Sequence, residues 1–464
     1  MTGPTVSPAP QVSRRAWTVL GITALTNFVA GLDLSVASVA IPDIQREFST
    51  ASEADISWVL TFYMLAYAGF LIPAGRLADR YGRLKALNAG LICFVVGDAL
   101  AVVAPTLPLL VAARGVQGLG VAAMAPASLG LAVAAWPAER RGTAVAIWGS
   151  TLALSTAVGP VVGGALIQYG SWRWAFALGL PMGITALVWG RKVLAESELD
   201  DTARTPDRLG ALLIGVGTAG LALAIVQGRE WGWTSPGILG LIAATVISIA
   251  VVVRRTSTHP NPIVPPHLMV VRSFSVAVVA TFIFGLGFFP TLYVLVQFFS
   301  KIAGYSTLRT GFALSALPIM ATIASNVTGR LADRFGYRTV IVPGILSFTL
   351  GAIWLRLNAG EDPNYVIDVL PGLMLIGIGI GAGPAILAAA AVSEMEPKYF
   401  SLAGAATQTA RQLASVIGVA IVVAILGSAE TVTIDSFRWA FVYLIGVSAT
   451  ASLVSTLLPG RRAH

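Results

Sequence analysis

The sequence predicts an all-α integral membrane protein: two six-helix bundles with two extra central helices between them, fourteen transmembrane helices in all. Three observations carry this reading. The 464-residue chain is 56% hydrophobic and only 11% charged, whereas a soluble domain has about 25% charged residues. Apolar runs of about 20 residues, the length that crosses a bilayer, recur from end to end. One charged, glycine-punctuated stretch also occurs twice, as GRLADRYGRLK at 75–85 and GRLADRFGYRT at 329–339.

In chain order the spans are 17–42, 54–75, 84–104, 107–134, 142–168, 171–190, 209–227, 237–253, 274–298, 309–329, 339–357, 366–391, 402–427 and 437–458. Each is read as a helix because hydrocarbon offers the backbone no outside hydrogen-bond partner. The abundant Gly and Pro do not oppose this, since both are common in membrane helices and small residues let helices pack closely. Arg14 and Arg15 ahead of the first span read as a helix anchor, not an export signal, because the apolar run is long and no small-residue cleavage site follows. The domains are then 1–190 for the N-terminal bundle, 191–273 for the two extra helices with their linkers, and 274–464 for the C-terminal bundle.

Charge placement orients the chain. With the N-terminus inside, 21 of the 30 Lys and Arg residues fall in inner loops and tails, Arg461 and Arg462 among them. Seven fall in outer loops, and Arg114 and Arg411 lie at membrane depth. This is the positive-inside pattern of a multi-pass protein of the inner (plasma) membrane with both termini cytoplasmic. It also assigns the net charge of +8 to the anionic inner leaflet, not to nucleic acid. The single cysteine, Cys93, excludes a disulfide framework. His259, His267 and His464 lack metal-ligand spacing, and GxxxxGK[ST] is missing. No metal, cofactor or nucleotide is expected.

The two copies of the repeated stretch start 254 residues apart, at inner loops eight spans apart, and so at matching places in the two halves. Internal repeats of this kind build many secondary transporters. Gly75 and Gly82, with Gly329 and Gly336, allow tight turns and close helix approach. Asp79 and Asp333 sit where helix ends and basic groups converge, and Arg80, Arg83 and Arg334 can pair with carboxylates. Such a loop can latch the inner face shut.

With these residues the chain resembles the major facilitator superfamily over nearly its full length, and within it the fourteen-span drug:proton antiporter family. Further matching stretches are GLDLSVASVAIP (31–42), RGVQGLG (114–120), STAVGPVVGG (155–164), LVQFFSKIAGYSTLRTGFALSALP (295–318) and TARQLASVIGVAI (409–421). Ser35, Ser38 and Ser155 depart from the family pattern. The resemblance implies a major facilitator fold and a proton-coupled secondary exporter of small lipophilic compounds, working by alternating access. It implies no enzyme activity. Its partners would be a small-molecule substrate, protons and the lipid bilayer, and it would act as a monomer. Gly159, Pro160, Gly163 and Gly164 look like the antiporter-type helix kink, bent at the proline and narrow at the glycines so that the halves can seal. The two extra helices are expected to be weakly packed, free of buried charge and peripheral. The rival readings are uptake of an organic acid and a non-transporting sensor, since fold does not fix function.

Four ionisable residues lie well inside spans, where insertion scales charge about 2.5–3.5 kcal/mol each. Asp33, Asp98 and Arg114 fall in one layer, about 9–13 Å below the outer surface at 1.5 Å per residue. In this superfamily helices 1 and 4 line the central cavity, so an Asp33–Arg114 pair is expected there, with Asp98 as a third member. Burial and a neighbouring arginine act on such a carboxyl in opposite senses, which lets proton and substrate compete. Arg411 is expected to meet an inner-loop acid, Glu394 or Glu396, or an anionic substrate. Gln117, Tyr63, Tyr67, Trp148 and Phe288 complete the candidate cavity lining, the rings being suited to flat lipophilic compounds.

Overall fold

Capping residues mark where apolar runs become helices. Ser13, Ser171, Asp207, Ser235 and Thr433 each accept a hydrogen bond from an N–H in the first turn of the helix that follows, and Ser52 forms a reciprocal capping box with Asp55. The computed structural model describes residues 12–196, 207–260, 262, 265–305, 307–426 and 433–460. Arg461, Arg462 and His464 lie outside these.

Regular structure among the described residues is helical throughout. The N-terminal part comprises α1 (Arg14–Glu47), α2 (Glu53–Tyr81), α3 (Arg83–Val102), α4 (Leu107–Ala135), α5 (Arg141–Tyr169), α6 (Trp172–Ala177) and α7 (Gly179–Val193). Next come α8 (Arg208–Trp231), α9 (Pro236–Thr258) and the short α10 (Pro266–Val270). The C-terminal part comprises α11 (Arg272–Gln297), α12 (Thr307–Leu314), α13 (Ala316–Phe335), α14 (Tyr337–Asn358), α15 (Leu370–Val392), α16 (Phe400–Leu426) and α17 (Ile434–Ser455).

Among the described residues, twelve helices are long and apolar enough to cross a membrane. The predicted spans 142–168 and 171–190 are not in that set. They correspond to the 29-residue α5 and to the α6–α7 pair, which is interrupted at Leu178. Helix α1 overruns its expected end at residue 42 and reaches Glu47, carrying Pro42 inside it.

The two parts repeat one packing scheme. Helix α4 packs on α3 and α2 as α15 packs on α14 and α13, and α1 packs on α5 as α11 packs on α16. Small residues allow this closeness. A Cβ on Gly90 would sit 2.7 Å from the Gly120 carbonyl, and one on Gly351 would sit 2.6 Å from the Gly372 carbonyl.

The two extra helices are the least buried of the twelve, as expected of weakly packed, peripheral helices. Helix α8 lies against α2, where a Cβ on Gly69 would come within 3.0 Å of the Gly215 carbonyl, and it also reaches α16. It therefore borders the seam between the halves. Just outside the predicted spans, the Asp207 side chain is almost fully buried and takes both forks of Arg255, at 2.8 and 2.7 Å. The Arg255 hydrogen bonds hold the Asp207 carboxyl below the ordinary carboxylate range. A group depressed in this way stabilises the fold above its unfolded pKa and loses that contribution as pH falls through the folded value. Asp207→Asn should therefore lower the melting temperature of the detergent-solubilised protein at neutral pH. The difference from wild type should close in acid; a gap that stays constant with pH would show that the charge is not what ties α8 to α9.

Candidate functional site

Arg114 is the centre of a buried polar cluster. Its side chain is fully buried on α4, and Nη1 donates to Asp33 of α1 at 2.7 Å (Oδ2) and 3.0 Å (Oδ1). The same Nη1 donates to Gln117 Oε1 at 2.6 Å, and Nε donates to the Val59 carbonyl of α2 at 3.1 Å. The Gln117 amide then donates to Asp98 Oδ1 of α3 at 2.5 Å. Asp98 Oδ2 and Arg114 Nη2 are buried without a hydrogen-bond partner. The guanidinium also lies over the Tyr63 ring, 4.3 Å from its centroid, and 5.4 Å from that of Phe176. The structure thus joins Asp33, Arg114, Gln117 and Asp98 in one chain of contacts. Gln117 is the link between the two acids and is fully buried, so it does not line an open cavity.

The repeated loops form the second constellation. Asp79 accepts from the backbone N–H groups of Ser401 (3.1 Å) and Leu402 (2.7 Å), at the start of α16 in the opposite half. Those groups have no partner within their own helix, and a carboxylate there also meets the positive end of the helix dipole. Arg83 clamps Asp79 at 2.8 and 2.9 Å, and it donates to Ser401 Oγ at 3.1 Å, the Gly130 carbonyl at 3.3 Å and the Pro397 carbonyl. Asp333 does the equivalent for α5, accepting from Thr143 N at 2.9 Å and Thr143 Oγ1 at 2.5 Å. Ser325 adds a bond to the Ala146 carbonyl at 3.0 Å. Arg80 and Arg334 lie near the rings of Tyr81 and Phe335.

The glycines of the repeat have two different reasons. Gly82 and Gly336 follow the ends of α2 and α13 with φ of 110° and 90°, which a side chain disfavours. Gly75 and Gly329 are points of contact between the halves. A Cβ on Gly75 would lie 2.6 Å from Ala405 Cβ, and one on Gly329 would lie 2.4 Å from Ala146 Cβ.

The glycine-proline stretch of α5 departs from the expected role. A Cβ on Gly159 would strike Ser35 and one on Gly163 would strike Val36, both on α1 of the same half, while Gly164 has nothing within 4 Å. Helix α5 continues through Pro160. Where α5 meets the other half is its opposite end, at Gly142 against Asp333 and Gly149 against Ala385. The narrow face serves α1 because α1 and α5 pack against each other along their length.

The aromatic candidates separate. Tyr63 is buried beneath Arg114, and Trp148 is buried with its ring N–H on Ser128 Oγ at 3.2 Å. Tyr67 and Phe288 are half-buried, with Tyr67 6.4 Å from the Tyr63 ring and Phe288 4.6 Å from that of Phe289. Arg411 is half-buried on α16 and within electrostatic reach of Tyr67. Neither acid suggested for it is its ion-pair partner: Glu396 pairs with Lys398 at 2.9 Å, and Glu394 is exposed.

Three contributors escaped the sequence reading. Glu196, just past α7, accepts from Leu84 N (2.9 Å) and Lys85 N (3.1 Å) and so caps α3 beside the first loop. Asn27 ties α1 to α5 through the Trp148 carbonyl at 2.9 Å. Thr143 is the receptor for Asp333. None has a local motif, since each is defined by its partner more than a hundred residues away.

The family model described as Major Facilitator Superfamily matches residues 23–419 and, overlapping them, 277–464. The chain belongs to this superfamily and is a multi-pass membrane transporter in family and fold. It is 28% identical to the tetracenomycin C resistance and export protein of Streptomyces glaucescens, over 91% of this chain and 78% of that protein. It is 30% identical to the methylenomycin A resistance protein of Streptomyces coelicolor, over 95% and 93%. A solved structure of a double-tryptophan mutant of XylE superposes with a TM-score of 0.70, covering 97% of this chain and 98% of that one; at 13% identity the likeness is one of fold alone.

Removing one partner of a buried ion pair costs about 3–5 kcal/mol. Asp79→Asn keeps the shape of the latch but strips Arg83 of its counter-ion. In a Cys93→Ser background with spin labels at Lys85 and Lys398, the substitution should lengthen the distances measured by electron resonance. An unchanged distribution would mean that the latch does not hold this end closed.

Proposed function

We propose that the protein is a proton-coupled secondary exporter of small lipophilic compounds, an antiporter working by alternating access. Its spans number fourteen in this reading, with bundles at 1–190 and 274–464 and two further spans within 191–273. Both termini face the cytoplasm at the plasma membrane, and one copy contains the whole path. The names of the two relatives, given for antibiotic resistance and in one case export, support the direction of transport.

The observation that carries the coupling is the Arg114–Asp33 pair, 2.7 Å long and shut off from solvent. A buried ion pair is weak evidence for stability, because desolvation offsets the attraction. It is well suited to switching. A proton on Asp33 removes the counter-ion of Arg114 and loosens α1 from α4. Each of these helices is tied to a latch. Helix α4 offers the Gly130 carbonyl to Arg83. Helix α1 is bonded through Asn27 to α5, which holds Asp333 through Thr143. Protonation thus changes the relative stability of the closed and open arrangements, the differential affinity that a ligand-driven switch requires. Asp98, reached through Gln117, is the second acid of this chain of contacts. The supply is adequate: one charge crossing 100 mV releases about 2.3 kcal/mol.

Asp33→Asn is expected to abolish uphill export in proteoliposomes with an imposed pH gradient, while leaving the protein folded. An uncoupler should do the same to wild type. Export by the Asn variant at the wild-type rate, still sensitive to the gradient, would remove Asp33 from the coupling step.

A further inference from the structure

We infer that Arg411 is an anion-binding group of the cargo site, so that the compounds carried are lipophilic acids whose carboxylate, phenolate or enolate docks on this guanidinium. The inference rests on the transport reading for its physiological meaning and on geometry for its chemistry.

Of the two arginines at membrane depth, Arg114 has Asp33 as its carboxylate, whereas Arg411 has none among the described residues. The Arg411 Nε is fully buried and has no hydrogen-bond partner. Arg76 and Arg141 also bury an Nε without a hydrogen-bond partner, but they stand at the inner-loop ends of α2 and α5. A charge inside a membrane span faces a cation-binding partner, a water-filled cavity or a transport path. Among the described residues no acid supplies that partner. Asp33 and Asp98 are engaged in the Arg114 cluster, Asp79 by Arg83, and Glu396 by Lys398.

Position agrees with this. Helix α16 seals against α2 at Ser401 and Ala405, which face Gly75. Arg411 lies six residues further along, about 9 Å beyond that seal at 1.5 Å per residue. Helix α11 closes the back, with Gly285 against the Arg411 main chain. Across the seam the group within electrostatic reach is Tyr67. The Tyr67 ring leads to Tyr63, 6.4 Å away, and Tyr63 covers Arg114 at 4.3 Å. A lipophilic acid placed here would have a guanidinium for its charged end and an aromatic wall for its body. Guanidinium is the side chain best matched to a carboxylate, through paired N–H donors, and it also stacks on flat rings.

The test uses two dyes with one xanthene skeleton, anionic fluorescein and cationic rhodamine 123. Binding to the purified full-length protein in detergent is read by fluorescence anisotropy against empty micelles, with no gradient present. Wild type should bind fluorescein about tenfold more tightly than rhodamine 123 or better, a difference of about 1.4 kcal/mol. Arg411→Gln should erase that preference, and Arg411→Lys should keep part of it. The assay contains no gradient, so a failure of proton coupling does not alter it and loss of the anion site is read separately. Equal affinity for both dyes, failure to bind fluorescein, or fluorescein binding by folded Arg411→Gln equal to wild type would each overturn the assignment. Should Arg411→Gln not fold, displacement of fluorescein from wild type by tetraphenylborate but not by tetraphenylphosphonium supports it, and the reverse order overturns it.

Discussion

A guanidinium sealed inside a membrane helix is the constraint around which the N-terminal half is organised. Arg114 cannot be neutralised at any accessible pH, so the protein must bring counter-charge and acceptors to it. Helix α1 brings Asp33, α2 brings the Val59 carbonyl and the Tyr63 face, α4 itself brings Gln117, and α6 brings the Phe176 ring. Through Gln117 the cluster extends to Asp98 on α3. Five elements are thereby fixed by one side chain. Only Asp33 touches the arginine directly, while Asp98 is joined to it through the Gln117 amide.

The latches translate that local chemistry into the relation between halves. Each repeated loop supplies an aspartate to a helix start in the opposite half, Asp79 to α16 and Asp333 to α5. The symmetry explains the repeat: two halves related by a pseudo-twofold axis each need an anion at the same end to hold the other. The glycines at 82 and 336 turn the chain so that the next helix starts beside the latch, and those at 75 and 329 let the helices touch. At the first loop, Glu196 adds a brace from the segment leading out of the N-terminal half. Asp333 in turn takes a side-chain hydroxyl as well as a backbone N–H, both from Thr143, so the two latches share a plan but not every contact.

Much of this was legible in the sequence because hydrophobic length, charge bias and the repeat are properties of local stretches. Twelve of the predicted spans coincide with helices long and apolar enough to cross a membrane, and the depth of Asp33, Asp98 and Arg114 put them in one layer. What could not be read was direction around each helix axis. The Gly159 and Gly163 face was expected at the boundary between halves, yet it meets Ser35 and Val36. Gln117 was expected to face substrate, yet it bridges Arg114 and Asp98. In water, polarity separates the buried face of a helix from the exposed one. In lipid both faces are apolar, so composition fixes depth and leaves azimuth open. Glu196 and Asn27 were invisible for a related reason, since a single polar residue declares no partner.

The halves repeat a scaffold, but they do not repeat a site. The N-terminal half holds a cation whose charge is already compensated, and the C-terminal half holds Arg411, which has no carboxylate partner among the described residues. A pair that is complete at rest can be disturbed by a proton. A cation that is incomplete at rest is completed only by something that arrives. Two latches are needed because both halves must close on one another, whereas one proton-responsive cluster and one recognition point suffice when the two bundles move as rigid bodies. Between them lie Tyr63 and Tyr67, in ring contact and touching the fields of both arginines. Symmetry therefore governs the contacts that every cycle must remake, and asymmetry is reserved for the groups that tell a proton from a cargo.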